Sequence, residues 1–381
     1  MIHINDKHDC CGCAACVQIC PKSCIKFDED EQGFRYPLVD KNICVDCGLC
    51  ENVCPVLNQS EPKQPLKVCA AKNPDDRIRM KSSSGGIFTM IAEFIINQGG
   101  VVFGARFDEK WEVEHAYAET IQGIEQFRGS KYVQSRVGIT NKQAKDFLNA
   151  GRKVLYTGTP CQIAGLKKYL RKTYDNLYTI DVVCHGVPSP LVWRTYINDM
   201  SESISSISFR DKSTGWNNYS VSIVSEGGDN LLYQLHHDNL YMKAFLNDLC
   251  LRPSCFACPA KSGKSTSDLT IADYWGVANI LPEIDDNKGI SLLLLHSSRA
   301  NELLYSLNLQ VIETDYQSAL SGNPSIERSV IENRYVNLFW EYFKVDGIKR
   351  INNIIQKMRP NIFTRVKGKI KRQIKKILFI K

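Results

Sequence analysis

The sequence has no apolar run long enough to cross a bilayer, for which roughly 18 residues are needed. The stretch Ile87–Ile96 comes nearest and is broken by Glu93. The opening MIHINDKHDC lacks the basic segment followed by an apolar one that marks a secretory signal. Disulfide frameworks need an oxidising compartment, so the sixteen cysteines among 381 residues are expected to be reduced, in a cytoplasmic chain, and to bind metal. Acidic residues are nearly missing from residues 344 to 381, where thirteen Lys or Arg face Asp346 alone. The net charge of +7 therefore belongs to that stretch, which carries +12 and leaves −5 for the preceding 343 residues. The body makes no compositional case for nucleic acid. At 43% hydrophobic residues the chain is long enough for two or three domains with a sizeable core.

Cysteine is abundant and ordered. CCGCAACVQICPKSC (10–24) can be laid over CVDCGLCENVCP (44–55), so that Cys10, Cys13, Cys16 and Cys20 map onto Cys44, Cys47, Cys50 and Cys54 by one shift of 34 residues. Both fourth cysteines precede a proline, Pro21 and Pro55. Cys11 and Cys24 have no counterpart and read as packed thiols. The spacing C-x2-C-x2-C-x3-C-P is that of bacterial-type 4Fe-4S ferredoxins, in which the fourth cysteine of each run serves the other cluster. On that rule Cys10, Cys13, Cys16 and Cys54 hold one cluster, and Cys44, Cys47, Cys50 and Cys20 the second. Gly12 and Gly48 relax the backbone where it must approach inorganic sulfide. Zinc also uses C-x2-C pairs, but it gives no reason for three cysteines in steps of three, twice, each run closed by proline. A dicluster module of this kind (1–60) moves single electrons and does no substrate chemistry.

The segment LNQSEPKQPLKV (57–68) reads as a short polar linker. Beyond it, 61–335 alternates strand and helix patterns: a helix over Ile87–Asn97, then GGVVFGARF, a helix from a Thr140/Gln143 capping box to near Gly151, then KVLYTG, CQIAGLKKYLRK, LYTIDVVC and PLVWRTYINDM. SISSISF, YSVSIVS and LLYQL look antiparallel, and DLTIADYW, ISLLLLH and a helix near Ser298 follow. The pattern predicts an α/β domain with a mixed sheet, whose ligands gather where strands end. The fold class is thus multidomain, α+β then α/β: a ferredoxin-like dicluster module, a mixed-sheet domain and a basic C-terminal helical tail (336–381).

Three loops at expected strand ends hold the candidate chemistry. KSSSGGIF (81–88) precedes a helix, where free amides favour a phosphate, although such a loop can equally be a plain turn. YTGTPCQ carries Cys161, and VVCHGVPSP carries Cys184 and His185. Cys255 and Cys258 form a lone C-x2-C pair, half a metal site. Cys161 and Cys184 either complete it as a third four-thiolate site or are buried apolar residues. Cys250 is a spare candidate, and Cys69 reads as packing.

SSSGGIFT, GSKYVQS, GTPCQIAGLKKYL, DVVCHGVPSP, SFRDKSTGWNNYS and LRPSCFACPAKSGKSTSDLTIADYWGV, in that order, resemble the coenzyme F-420 hydrogenase/dehydrogenase beta-subunit family from about residue 66 to about 320. That family includes flavoprotein subunits of deazaflavin-reducing hydrogenases and of formate dehydrogenases. The resemblance implies an FAD-binding α/β domain wired by iron–sulfur clusters. It implies pyrophosphate contacts at Ser82, Ser84, Gly85 and Gly86, and flavin contacts at Lys131, Tyr132, Thr159 and Gln162. Asp273 and Trp275 would line the site, and Cys161, Cys184, Cys255 and Cys258 would hold a third 4Fe-4S cluster. His185 is a candidate proton donor or a structural histidine. The chain has no separate hydrogenase or formate-oxidising signature, so it does not generate the reductant itself. The resemblance also suggests a setting in surface-polysaccharide biosynthesis.

Two functions compete. One is a flavin- and iron–sulfur-dependent oxidoreductase passing electrons between a ferredoxin-type carrier and an organic substrate or a deazaflavin- or nicotinamide-type coenzyme. The other is an electron-transfer subunit that relays for a partner enzyme. In the tail, Ile362, Val366, Ile370, Ile374 and Leu378 recur every four residues among lysines and arginines. Such a helix would either lie on the inner membrane face through residues 362–381 or pack its stripe on the body.

Overall fold

The protein is described by a computed structural model over residues 1–200, 202–307 and 309–358. The N-terminal module is built on an antiparallel hairpin of β1 (Ile25–Glu29) and β2 (Arg35–Val39), with Ile25 opposite Val39. Two short helices, Ala15–Ile19 and Leu49–Asn52, carry the second half of each cysteine run. The cysteine repeat is also a backbone repeat. Residues 12, 14, 46 and 48 all have positive φ, at 72°, 61°, 49° and 70°. Glycine occupies only Gly12 and Gly48; Ala14 and Asp46 take the same left-handed turn at a cost of about 1–2 kcal/mol each.

The stretch expected as a linker is pinned to the body, since the Lys63 N–H donates to Ser262 O (2.9 Å) and the Leu66 N–H to Leu295 O (2.7 Å). Then follow β3 (Lys67–Ala71), β4 (Val101–Phe107), β5 (Val113–Ala118), β6 (Val154–Gly158), β7 (Leu177–Val182), β8 (Ile204–Asp211), β9 (Ser220–Ser225), β10 (Asn230–Leu235), β11 (Leu269–Asp273), β12 (Ser291–Leu295) and β13 (Val311–Glu313). Eight of them form one sheet in the order β13-β3-β12-β11-β7-β6-β4-β5. Its centre, β11-β7-β6-β4, is parallel, and both flanks are antiparallel. Strands β8, β9 and β10 make a separate antiparallel sheet.

Alternation along the central strands divides the core. Val102 and Leu155 pack with Ile87, Ile91 and Ile95 of the helix Ile87–Asn97. Val101, Phe103, Val154 and Tyr156 point the other way, to Ala144, Ile163 and Leu166. Burying one such side chain contributes about 1.5–3 kcal/mol. Cys11, Cys13, Ala15 and Val53 join this second face, so the cysteine module packs directly on the helix Pro160–Leu170.

Two expectations are corrected. Thr140 is the first helical residue and caps nothing. Its hydroxyl donates to Val137 O at 2.8 Å and meets the Tyr156 hydroxyl, because burial leaves it no water. The tail expected from residue 336 begins inside the core: Phe339, Trp340, Phe343, Ile348, Ile351 and Ile354 are buried with Trp193 and Tyr241. The apolar stripe proposed for residues 362–381 lies outside the described residues. Among the described residues no helix is long and apolar enough to cross a membrane.

Candidate cofactor cavity and thiol clusters

One cavity of about 580 Å³ opens where the parallel strands end, large enough for a sizeable organic cofactor. Thr157–Thr159 at the end of β6, Val182–His185 at the end of β7 and Ile271–Asp273 of β11 form its floor. Ser82–Ser84, Gly86 and Ile87 bring the start of the helix Ile87–Asn97 to its rim. That helix has no side-chain cap, and Gly86 enters it at φ 80°, so its first amides are free for an anion. The charged side chains on the wall are Arg128, Lys131, Arg210 and Asp273, a balance that favours an anionic occupant.

Of the residues expected here from the sequence, Ser82, Ser84, Gly86, Lys131, Tyr132, Thr159, Gln162, Asp273, Trp275, Cys184 and His185 line the cavity, and Gly85 does not. Gly85 serves from behind. Its N–H donates to Ser291 Oγ at 3.0 Å, and a Cβ there would stand 2.7 Å from Ala71 O. The Ser82 and Ser84 hydroxyls donate to Ile78 O (2.8 Å) and Ile290 O (2.9 Å), which leaves their oxygens only as acceptors toward the cavity.

The Arg210 guanidinium donates to Asp273 Oδ1 (3.1 Å) and Ser83 O (3.3 Å) and lies 4.0 Å from the Tyr219 ring and 5.1 Å from the Trp275 ring. Trp275 stacks in turn on Trp216, whose Nε1 donates to Asp273 at 2.8 Å. Burial works against the Arg210 charge and is the largest single influence on it, but the Asp273 carboxylate together with the Tyr132 and Tyr219 hydroxyls raises the pKa on balance. Arg210 Nε is buried without a partner among the described residues, an unused donor on the wall. Lys131 is half-buried there, and desolvation pushes its ammonium down to about 7. Lys212 lies behind the Ser/Gly loop and donates to Arg79 O, Ser84 O and Lys288 O at 2.6, 2.9 and 2.7 Å.

A polar chain crosses the floor. Gln162 Oε1 accepts from the Thr159 N–H (2.9 Å), and Gln162 Nε2 donates to Ser135 Oγ (2.9 Å). Ser135 meets His115 Nδ1 (3.0 Å), and His115 Nε2 faces Thr157 O (3.1 Å). Burial holds the His115 pKa down at about 4, so the ring is neutral. A carbonyl can only accept, which places the proton on Nε2 and makes Ser135 the donor to Nδ1. His185 Nε2 pairs with Asp248 Oδ1 at 2.6 Å.

The thiols fall into three neighbourhoods. Cys10, Cys13, Cys16 and Cys54 line one small cavity, together with Cys11. Cys20, Cys44, Cys47 and Cys50 line another, together with Cys24. Cys24 lies 3.3 Å from Cys20, sulfur to sulfur. These are the two groupings that the crossed-ligand rule requires. Cys161, Cys184, Cys255 and Cys258 form the third. Burial raises their thiol pKa values, and mutual proximity adds to it, with Cys184 pushed up to about 12; Cys161 is raised chiefly by its contact with Cys11. Among the described residues no three His, Cys, Asp or Glu side chains converge tightly enough for a single ion. A four-iron cluster holds its thiolates farther apart than one ion does, and its cationic core would relieve the repulsion that raises these thiols. The Cys11 thiol touches both Cys13 and Cys161. Cys69 and Cys250 are fully buried packing residues.

Sequence reading missed Arg210, Lys212, His115, Ser135 and Arg252. Arg210 sits within the quoted SFRDKSTGWNNYS motif, but a lone arginine in a strand carries no sign of facing a ligand.

This is a ferredoxin-type module docked on a mixed α/β sheet whose parallel strands end in a cofactor-sized cavity, the layout of an iron–sulfur redox protein. Residues 9–58 match the 4Fe-4S dicluster domain. Residues 68–138 and 151–317 match the N-terminal and C-terminal models of the coenzyme F420 hydrogenase/dehydrogenase beta subunit. The chain belongs to that beta-subunit family. No curated protein sequence matches it. Among solved structures it is similar to a chain of the F420-reducing NiFe hydrogenase complex from Methanosarcina barkeri, in a xenon derivative, at 16% identity and a TM-score of 0.47, covering 78% of this chain and 93% of that one.

Proposed function

We propose that the chain is an iron–sulfur flavoprotein that transfers electrons between its N-terminal clusters and an FAD in the strand-end cavity, relaying them between a one-electron carrier of the ferredoxin type and a partner enzyme. One observation carries this reading: Cys184 belongs both to the cavity wall and to the inner thiol set, so a cluster and a cavity cofactor would share a wall. Cys10, Cys13, Cys16 and Cys54 would hold the proximal cluster, and Cys20, Cys44, Cys47 and Cys50 the distal one. Cys161, Cys184, Cys255 and Cys258 would hold the inner cluster.

A bound flavin would supply the exchange between two-electron and one-electron chemistry. Ser82, Ser84, Gly86 and the free amides of the helix Ile87–Asn97 would bind its pyrophosphate, while Lys131, Tyr132, Thr159, Gln162, Asp273 and Trp275 would orient the rest. Arg210 holds Asp273 in place. His185, paired with Asp248, would hold a proton at Nε2.

A second reading is a terminal oxidoreductase acting on its own substrate, a small organic acceptor, a deazaflavin- or nicotinamide-type coenzyme, or a glycan intermediate of surface-polysaccharide assembly at the inner membrane face. His185 on the cavity wall, paired with Asp248 behind it, favours it, since a relay alone has less use for a proton donor.

Iron, sulfide and flavin content of the full chain after anaerobic purification tests the proposal. Three clusters predict about twelve irons with one FAD. About eight irons would remove the inner cluster, and absence of flavin after reconstitution would overturn the flavoprotein. Turnover of an acceptor by the chain alone would favour the second reading; strict dependence on a partner would favour the relay.

A further inference from the structure

Arg252 is 1% exposed. Among the described residues no carboxylate lies within ion-pair distance of it, unlike the buried Arg79 and Arg210. Its fork is filled by neutral groups: Nε donates to Cys10 O (2.6 Å), Nη2 to Arg35 O (3.0 Å) and Nη1 to Gln134 Oε1 (3.0 Å). The guanidinium lies 4.3 Å from the Tyr36 ring. Burying a cation without a counter-anion costs several kcal/mol, so this charge needs an anion nearby. The surroundings name it. The thiols of Cys10, Cys11 and Cys255 are all close enough that their negative charge would favour the guanidinium. The Cys255 N–H donates to the carbonyl of Arg252 itself at 2.9 Å, so the residue that reaches into the module also begins the turn carrying an inner-set thiol.

Resting on the cluster assignment above, we infer that Arg252 is the positioning residue and shared counter-charge of the junction between the proximal and inner clusters, and that it raises the reduction potential of the proximal cluster relative to the distal one. A cluster held by four thiolates is anionic and gains one more negative charge when an electron arrives. A fixed positive charge beside it favours that reduced state. The step is a single-electron transfer: the distal cluster is oxidised by one electron and the proximal cluster reduced by one, with no bond made or broken. The ferredoxin-type carrier restores the distal cluster. Arg252 therefore biases electron flow from the carrier toward the body.

The test is a redox titration of the iron-loaded full chain followed by electron paramagnetic resonance. Arg252→Gln removes the charge. Gln134→Glu is the second variant, which neutralises Arg252 while keeping a partner for its Nη1, at the loss of the Gln134 Nε2 hydrogen bond to Cys11 O (3.2 Å). In both, the higher of the two module potentials should fall while the other holds. Iron content is measured first: a wild-type chain without iron would overturn the cluster assignment and this inference with it. Full iron with unmoved potentials in Gln134→Glu would overturn the inference alone, as would an upward shift in either variant.

Discussion

Arg210 and Asp273 form a buried pair on the cavity floor, guanidinium to carboxylate at 3.1 Å. They come from different sheets, β8 and β11, so the pair joins the antiparallel sheet to the main one. Removing one partner leaves the other charge unpaired and largely out of water at the cavity wall, which costs up to roughly 3–5 kcal/mol. Arg210→Met is expected to lower stability by that order. Arg210→Met with Asp273→Asn should recover part of it, read from urea midpoints of the double variant and of the two single variants, Arg210→Met and Asp273→Asn. Additive losses would show that the two side chains act independently.

Gly85 supports the rim of the cavity from behind. With Ala71 O and Ser291 N at 2.7 and 2.8 Å from the site of a Cβ, Gly85→Ala must move backbone, at a cost of about 1–3 kcal/mol. Flavin content should drop with it, and further than in Ser82→Ala, which removes only one of several expected pyrophosphate contacts and moves no backbone. Equal flavin in both variants would show that the loop does not need this approach.

Gly165 faces the module. A Cβ on it would meet Cys13 Cβ at 2.7 Å and Sγ at 2.8 Å, in the thiol set assigned to the proximal cluster. Gly165→Ala should therefore lose about four irons per chain and leave the distal signal intact. Full iron loading would show that the module can stand off the helix.

His115 makes stability depend on pH. Desolvation lowers its pKa from 6.5 in the open chain to about 4 in the fold. A group with a lowered folded pKa contributes in full above 6.5 and loses that contribution as pH falls toward 4, on the order of 3 kcal/mol in the limit. Asp181 runs the opposite way: burial raises it from 3.8 to about 6, so its contribution is complete below 3.8 and lost as pH rises through 6. Urea midpoints between pH 7.5 and 5 should fall less steeply in His115→Gln than in the parent. Parallel curves would show that this ring does not titrate in the window.

The local patterns were legible in the chain itself. The shift of 34 residues sorted the module's cysteines into two repeated runs, because a cubane demands thiolates at fixed short steps, and residues 9–58 match a 4Fe-4S dicluster domain. Short apolar runs separated by helix-length segments marked the central strands and the helix Ile87–Asn97, because segments buried in the sheet and against it must be apolar. The Ser/Gly loop and the Cys184–His185 turn were found as strand ends, where side chains leave the packed sheet. Only the tertiary structure decided that Arg210 faces Asp273, that Lys212 braces the Ser/Gly loop, that Cys11 lies between Cys13 and Cys161, and that Arg252 reaches from one thiol set to another. Phe339 and its neighbours likewise joined the core instead of starting a separate tail. These relationships join residues far apart in the chain. No spacing encodes them, and they exist because burial obliges every charge and hydrogen-bonding group to find its partner wherever the fold brings one near.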